Sequence, residues 1–160
     1  MIDCSNIRAH QHAAGAIGGQ ELQALGRSRG GFGTKIHAKV DAFGMPLKIK
    51  LTGGEKHESQ QAIDLYDSDY CEYMLADRAY DDGEFRVFLE KKGTAAVIPS
   101  KKNRLAQIPH DKHIYKERNF VERFFNRIKQ FRRIATRYDK LSVTFLGAVL
   151  VASILIWLKG

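Results

Sequence analysis

Between Thr34 and Leu51 the chain alternates with a period of two. Lys35, His37 and Lys39 interleave with Ile36, Ala38 and Val40; after the turn-forming run Asp41–Pro46, Leu47, Ile49 and Leu51 interleave with Lys48 and Lys50. Successive strand residues point to opposite faces, so the pattern predicts a hairpin with one buried face. Upstream, Ile2–Arg8 reads as a short extended segment and residues 9–33 as a Gly/Ala/Gln-rich loop, loosest at GRSRGG. Downstream come a short helix over Glu58–Leu65, a strand over Tyr73–Ala76 ending at Asp77, a helix over Asp82–Lys92 closed by Gly93, and a strand over Ala95–Pro99. This order predicts an α/β fold, a mixed central sheet flanked by helices.

The length of 160 residues fits one domain, 1–160. Val143–Leu158 carries no charge over 16 residues, short of the roughly 20 that span a bilayer, and reads as a buried terminal helix at about 143–159. The N-terminus shows no secretory pattern. Cys4 and Cys71 are too few for a disulfide framework and lack zinc-type spacing, which points to a reducing cytoplasm and no membrane partner.

Net charge is +8, and its distribution is uneven. Residues 100–140 hold 13 Lys/Arg against 4 Asp/Glu, a net +9; the remainder holds 13 against 14, a net -1. A basic block so concentrated is either a solvated face or a surface for phosphates.

Carboxylates at strand ends from different segments can jointly hold a divalent metal. Three fit that placement: Asp3 in the first extended segment, Asp77 at the end of a strand, and Glu122 in an arginine-rich helix. Each also has a plainer reading: a surface residue, a turn cap, and a capping box with Asn119. Helical spacing puts Phe120, Phe124, Ile128 and Phe131 on one face, with Tyr115, Arg118, Asn126 and Lys129 near Glu122 on the other. Glu122 with Arg118 is then either a surface ion pair or a metal ligand beside phosphate-holding cations. The six histidines lack a zinc pattern, and Gly30, Gly31 and Gly33 precede a strand, unlike a phosphate loop.

The spacing Tyr115-x2-Arg118-x3-Glu122-x6-Lys129 resembles the signature around the third acidic residue of insertion-sequence transposases of the IS4/IS5 type. Arg8–Ala16, Gly26–Ala38, Leu51–Ser59, Ala76–Asp82 and Arg118–Lys140 also resemble the IS5 family. The resemblance implies a DDE catalytic domain on an RNase H-like fold: a five-stranded mixed sheet with helices on both faces. Asp3, Asp77 and Glu122 would be its catalytic and metal-binding residues, for two Mg2+ (or Mn2+) ions. It implies hydrolysis at the element ends, then strand transfer into target DNA. Tyr115, Arg118 and Lys129 would position the backbone. Arg123, Arg127, Arg132, Arg133 and Arg137, with Lys101, Lys102 and Arg104, would extend the phosphate surface.

Members of that family carry a region ahead of the first acidic residue, where here only Met1 and Ile2 precede Asp3. The chain is therefore expected to be either a second-frame product that joins an upstream-frame segment or, equally, a decayed remnant. The alternative is a fragment that binds DNA or transposase subunits without catalysing on its own. Partners expected from the family are element ends, target DNA and further copies in a homo-multimer.

Overall fold

The computed structural model describes residues 1–66 and 70–159. Its strands are β1 (Ile2–Ala9), β2 (Gly26–Ser28), β3 (Gly31–Val40), β4 (Pro46–Gly53), β5 (Tyr73–Leu75), β6 (Ala95–Val97) and β7 (Thr136–Arg137). Its helices are α1 (Gly19–Leu22), α2 (Ala62–Tyr66), α3 (Gly83–Lys91), α4 (Lys112–Tyr115), α5 (Asn119–Ile128), α6 (Arg132–Ala135) and α7 (Ser142–Lys159).

β1 pairs antiparallel with β3, from Ile2↔Lys39 to Arg8↔Gly33. On β3, residues Gly31–Gly33 also pair with β2, and Thr34–Val40 with β4. The far end of β1 takes β7 in parallel through Arg8↔Thr136 and Ala9↔Arg137, which completes a five-stranded mixed sheet. Strand approach is tight at Gly33, where a Cβ would stand 2.5 Å from the Ile7 carbonyl oxygen. The expected hairpin is thus present, and the loop expected over residues 9–33 contains α1 and β2.

β5 and β6 form a parallel pair bridged by α3, a right-sized βαβ crossover that stops at Gly93, whose φ of +70° suits glycine. Among the described residues this pair is not hydrogen-bonded to the larger sheet. Packing joins them: Ile2 of β1 shares a buried cluster with Met74, Ala76, Tyr80, Phe85, Leu89 and the α2 residues Leu65 and Tyr66. The opposite face of the sheet, through Ile7, Ile36, Ala38 and Val40, packs on Val121, Phe124 and Phe125 of α5 and on Phe145 and Val149 of α7.

Both faces of β3 are therefore covered, where alternation predicts only one. Lys35, His37 and Lys39 lie buried under α2 and the segment before it. They remain there because each side chain finds a polar partner, although His37 Nδ1 has none among the described residues. Lys39 Nζ donates to the Tyr66 carbonyl at 2.7 Å, Lys35 Nζ to the Lys56 carbonyl at 2.8 Å, and His37 Nε2 lies 2.8 Å from Thr52 Oγ1. Burial, with Lys35 adding to it, pushes the His37 imidazole down to about 4.

Two expectations are corrected. Helix α7 buries only one side, through Phe145, Val149, Ala152, Ser153 and Ile156; Val143, Val151, Ile154 and Trp157 face outward. Its 18 residues are long and apolar enough to cross a membrane by length and composition, but the buried side packs on the sheet. Arg137 is fully buried and so is not part of a phosphate surface. Its guanidinium donates to Thr34 Oγ1 at 2.5 Å and to the carbonyls of Asp139, Lys140 and Ala24, and lies 5.2 Å from the Phe145 ring. A basic residue in a basic block suggests a surface cation, but sequence charge does not tell a solvated guanidinium from one that ties loops to a core.

Candidate active site

Asp3 is fixed by the β1–β3 ladder, opposite Ala38. Its Oδ1 accepts from the Cys4 amide at 2.8 Å and its Oδ2 from Arg118 Nη1 at 2.8 Å. The other terminal nitrogen of Arg118, Nη2, donates to Glu122 Oε1 one helical turn on. Asp77 ends β5 and caps the turn Arg78–Tyr80, accepting from the Ala79 amide at 2.8 Å. The charge of Arg118 acts on Asp77 as well as on Asp3 and Glu122. One guanidinium thus bonds to the carboxylates of residues 3 and 122, and its charge acts on that of residue 77.

Burial pushes the Asp3 carboxyl up to about 6; the Cys4 amide and Arg118 oppose this, and Asp77 and Glu58 add to it. Asp77 is raised too, first by burial and then by Glu58, against the amides of Ala79 and Tyr80 and against Arg118. Two partly buried acids near one another carry unsatisfied negative charge, which a cation relieves. Among the described residues no three His, Cys, Asp or Glu side chains lie close enough together to hold a metal ion as they stand. The chemistry of the donor set nonetheless suits a hard divalent cation: anionic oxygens only, arranged around one positive group.

The arginine-rich segment sorts into three kinds of residue. Lys102, Arg123, Lys129 and Arg132 are exposed, with Arg123 lying 5.3 Å from the Phe120 ring and Lys129 just beyond α5. Tyr115, at the end of α4, lies 5.9 Å from the Arg118 guanidinium, next to the acids. Others are engaged within the protein. Arg104 and Arg86 both donate to the buried Asp81, which also accepts from the Lys101 amide at 2.7 Å. Burial works against the Asp81 charge, but these donors outweigh it and hold the carboxyl down at about 2. Arg133 makes two contacts with Asp139, and Arg127 reaches the Ile156 carbonyl at 3.5 Å.

The helix carrying Glu122 is rotated slightly from the expected setting. Its buried residues are Val121, Phe124, Phe125 and Ile128, while Phe120 and Phe131 are half-buried. Glu122 remains on the open side, consistent with its place beside Arg118. Asn119 Nδ2 donates back to the Lys116 carbonyl, and Arg118, which makes no side-chain cap, holds the N-cap position.

The sequence model of the transposase DDE domain family matches residues 1–157. The chain belongs to this family. A protein named for the transposase of insertion sequence element IS6501 in Brucella ovis is 40% identical over 128 residues, covering 79% of this chain and 98% of that protein. A second, named for the transposase of insertion sequence element IS402 in Burkholderia cepacia, is 28% identical over 120 residues, 68% of this chain. The match spans about half, 54%, of that longer relative. No solved structure matches the chain. The mixed sheet with helices on both faces is the RNase H-like arrangement of a DDE transposase domain. The charge of Glu58 also acts on Asp3 and Asp77, which sequence spacing does not show; its only signal is its place within the family-like run Leu51–Ser59.

Proposed function

We propose that this DDE domain, a single RNase H-like unit over residues 1–160 of the IS5 kind, cuts DNA at the ends of an insertion sequence and joins those ends to target DNA. The observation that carries the reading is the shared guanidinium: Arg118 bonds to both Asp3 and Glu122, and its charge acts on Asp77. The reaction is hydrolysis of a phosphodiester at each end, followed by attack of the freed 3' hydroxyl on a target phosphodiester. A new phosphate ester forms as the target's own 3' oxygen leaves, with no covalent bond to the protein.

Asp3, Asp77 and Glu122 would hold two Mg2+ or Mn2+ ions. Such ions, when bound, neutralise the phosphoryl oxygens and activate the attacking oxygen. The chain's own cations do the rest. Arg118 passes from the carboxylates to the DNA backbone, Tyr115 orients it through its ring, and Lys129 holds a neighbouring phosphate. Lys101, Lys102, Arg123 and Arg132 extend that contact, while Arg104, Arg127 and Arg133 keep their internal partners and contribute less. Because two ends must be joined, the active species is a multimer acting on cytoplasmic DNA, and an upstream-frame segment would add end recognition.

Transposition of a marked element in cells tests the reading. Asp77→Asn is expected to abolish it while the purified variant still retards duplex DNA in gels. Transposition at the wild-type frequency by that variant would remove Asp77 from the chemistry.

A further inference from the structure

The fold leaves helix α7 half-covered. Its sheet side packs through Phe145, Val149, Ala152 and Ile156, while Val143, Leu150, Val151, Ile154, Trp157 and Leu158 are each between 43% and 77% exposed. At 100° per residue these six fall within about 80° of the direction of Gly147, so they form one stripe down the helix. No charge interrupts it from Val143 to Leu158. The exposed surface of the six is on the order of 700 Å², more than the roughly 300–600 Å² of the largest apolar patch on a typical monomer. It is close to the ~800 Å² that each partner gives to a stable protein contact.

The stripe has relief as well as area. Leu150, Ile154 and Leu158 recur every fourth residue and make a ridge. Beside it runs an open groove between α6 and α7, lined by Phe131, Ile134, Gly147, Ala148, Val151 and Leu155. The groove is widest open at Gly147, where an added Cβ meets no atom within 4 Å. Ridge and groove lie side by side on one surface, so a two-fold axis sets the ridge of each copy into the groove of the other. Electrostatics agree: two chains at +8 repel, and they meet at least cost where no charge stands. Arg133, which also lines the groove, is paired with Asp139 at 2.6 Å.

We propose that the outward stripe of α7 is the contact between two copies of this chain, packed as a two-fold dimer. It gives the multimer of the DDE reading its contact surface, while standing on packing alone. Two features count against a lipid surface as the occupant. Helices that lie on membranes carry Lys and Arg along the face away from the lipid, but in α7 that face is packed on the sheet and Lys159, at its end, is its one charge. The indole N–H of Trp157, which a membrane-surface tryptophan turns to the headgroups, donates instead to the Pro46 carbonyl at 2.8 Å.

Sedimentation equilibrium of the full chain at micromolar concentration tests this. The wild type is expected to sediment with the mass of two chains. The double variant Val151→Glu/Ile154→Glu, altered only at exposed positions, is expected to sediment with the mass of one and to keep the wild-type circular dichroism spectrum. Leu105→Glu, which removes an exposed apolar residue of another segment, is expected to stay dimeric. A monomeric wild type overturns the proposal, as does a dimer that survives in the double variant or is lost in Leu105→Glu. A monomeric wild type that pellets with phosphatidylcholine–phosphatidylserine vesicles, when the double variant does not, assigns the stripe to lipid instead. Should the double variant not fold, Gly147→Gln fills the groove without touching the packed side and is expected to weaken the dimer roughly tenfold; an unchanged dissociation constant overturns the proposal. Transposition by Asp77→Asn would remove the DDE reading and leave these masses as they are, so the two fail separately.

Discussion

Asp3 Oδ2 and Arg118 Nη1 meet at 2.8 Å across 115 positions of sequence. The contact joins the second residue of β1 to the residue just ahead of α5, so it locks the strand and the helix that carry two of the three acids. Both side chains are largely shielded, at 14% and 18% exposure, and the attraction is correspondingly less screened than in a surface pair.

Replacing Arg118 with Met is expected to destabilise the protein by about 1–3 kcal/mol at pH 8. The sign of the pH dependence follows from Asp3. Its carboxyl already titrates at about 6 and would rise further without the guanidinium, so near pH 5 it takes up a proton and needs no counter-charge. Urea unfolding at the two pH values checks this: the loss should be larger at pH 8, and equal losses would contradict it.

Asp77 caps a turn and, in the proposed site, is also a catalytic carboxylate; two substitutions separate the roles. Asp77→Asn keeps an oxygen for the Ala79 amide and should retain near-wild-type stability. Asp77→Ala loses the cap and about 1 kcal/mol. Both should be inactive. Thermal unfolding beside a transposition assay distinguishes a dead site from a weakened fold.

Asp81 gives an acid-side signature. Its native carboxyl lies at about 2, below the usual range near 4, so its contribution is fully present above about pH 4 and is lost as pH falls through about 2. The amount is about 2 kcal/mol. Asp81→Asn should be less stable at neutral pH and should show a flatter stability curve between pH 4 and pH 2. Unfolding measured across that window reads the difference.

Much of this architecture is legible in residue spacing, and the exceptions share a cause. The hairpin, β1 and the helix bearing Glu122 follow from periodicity, because one residue's neighbours on a strand or helix are set by local geometry. The burial of Lys35, His37 and Arg137 does not, because it depends on which element lies across the sheet, and polar heads satisfied by distant carbonyls look like surface charge. Placement along the chain marks Asp3 and Asp77, and the fixed gaps around Glu122 mark the third acid, but the bond of Arg118 to Asp3 is visible only once residues 3 and 118 share a place.

The same sorting of cations bears on DNA binding. Lys129→Ala and Arg123→Ala each remove an exposed charge and are expected to lower the slope of log affinity against log salt by about 0.9. Arg137→Ala should leave that slope unchanged and lower the melting temperature instead, because its partners are protein carbonyls and Thr34. Filter binding of a short duplex over a range of potassium chloride measures the slopes.

The parallel pairing of Arg8 and Ala9 with Thr136 and Arg137 sets when, during synthesis, the molecule can become itself. The strand made first gains its outer neighbour only after residue 137 has left the ribosome, and Asp3 meets its guanidinium only after residue 118. Such distant pairings favour late, concerted closure over stepwise growth. A chain halted before residue 118 holds at most two of the acids and neither the arginine nor the helix that orders them. On the proposed mechanism, a stalled translation product would be unable to cut DNA.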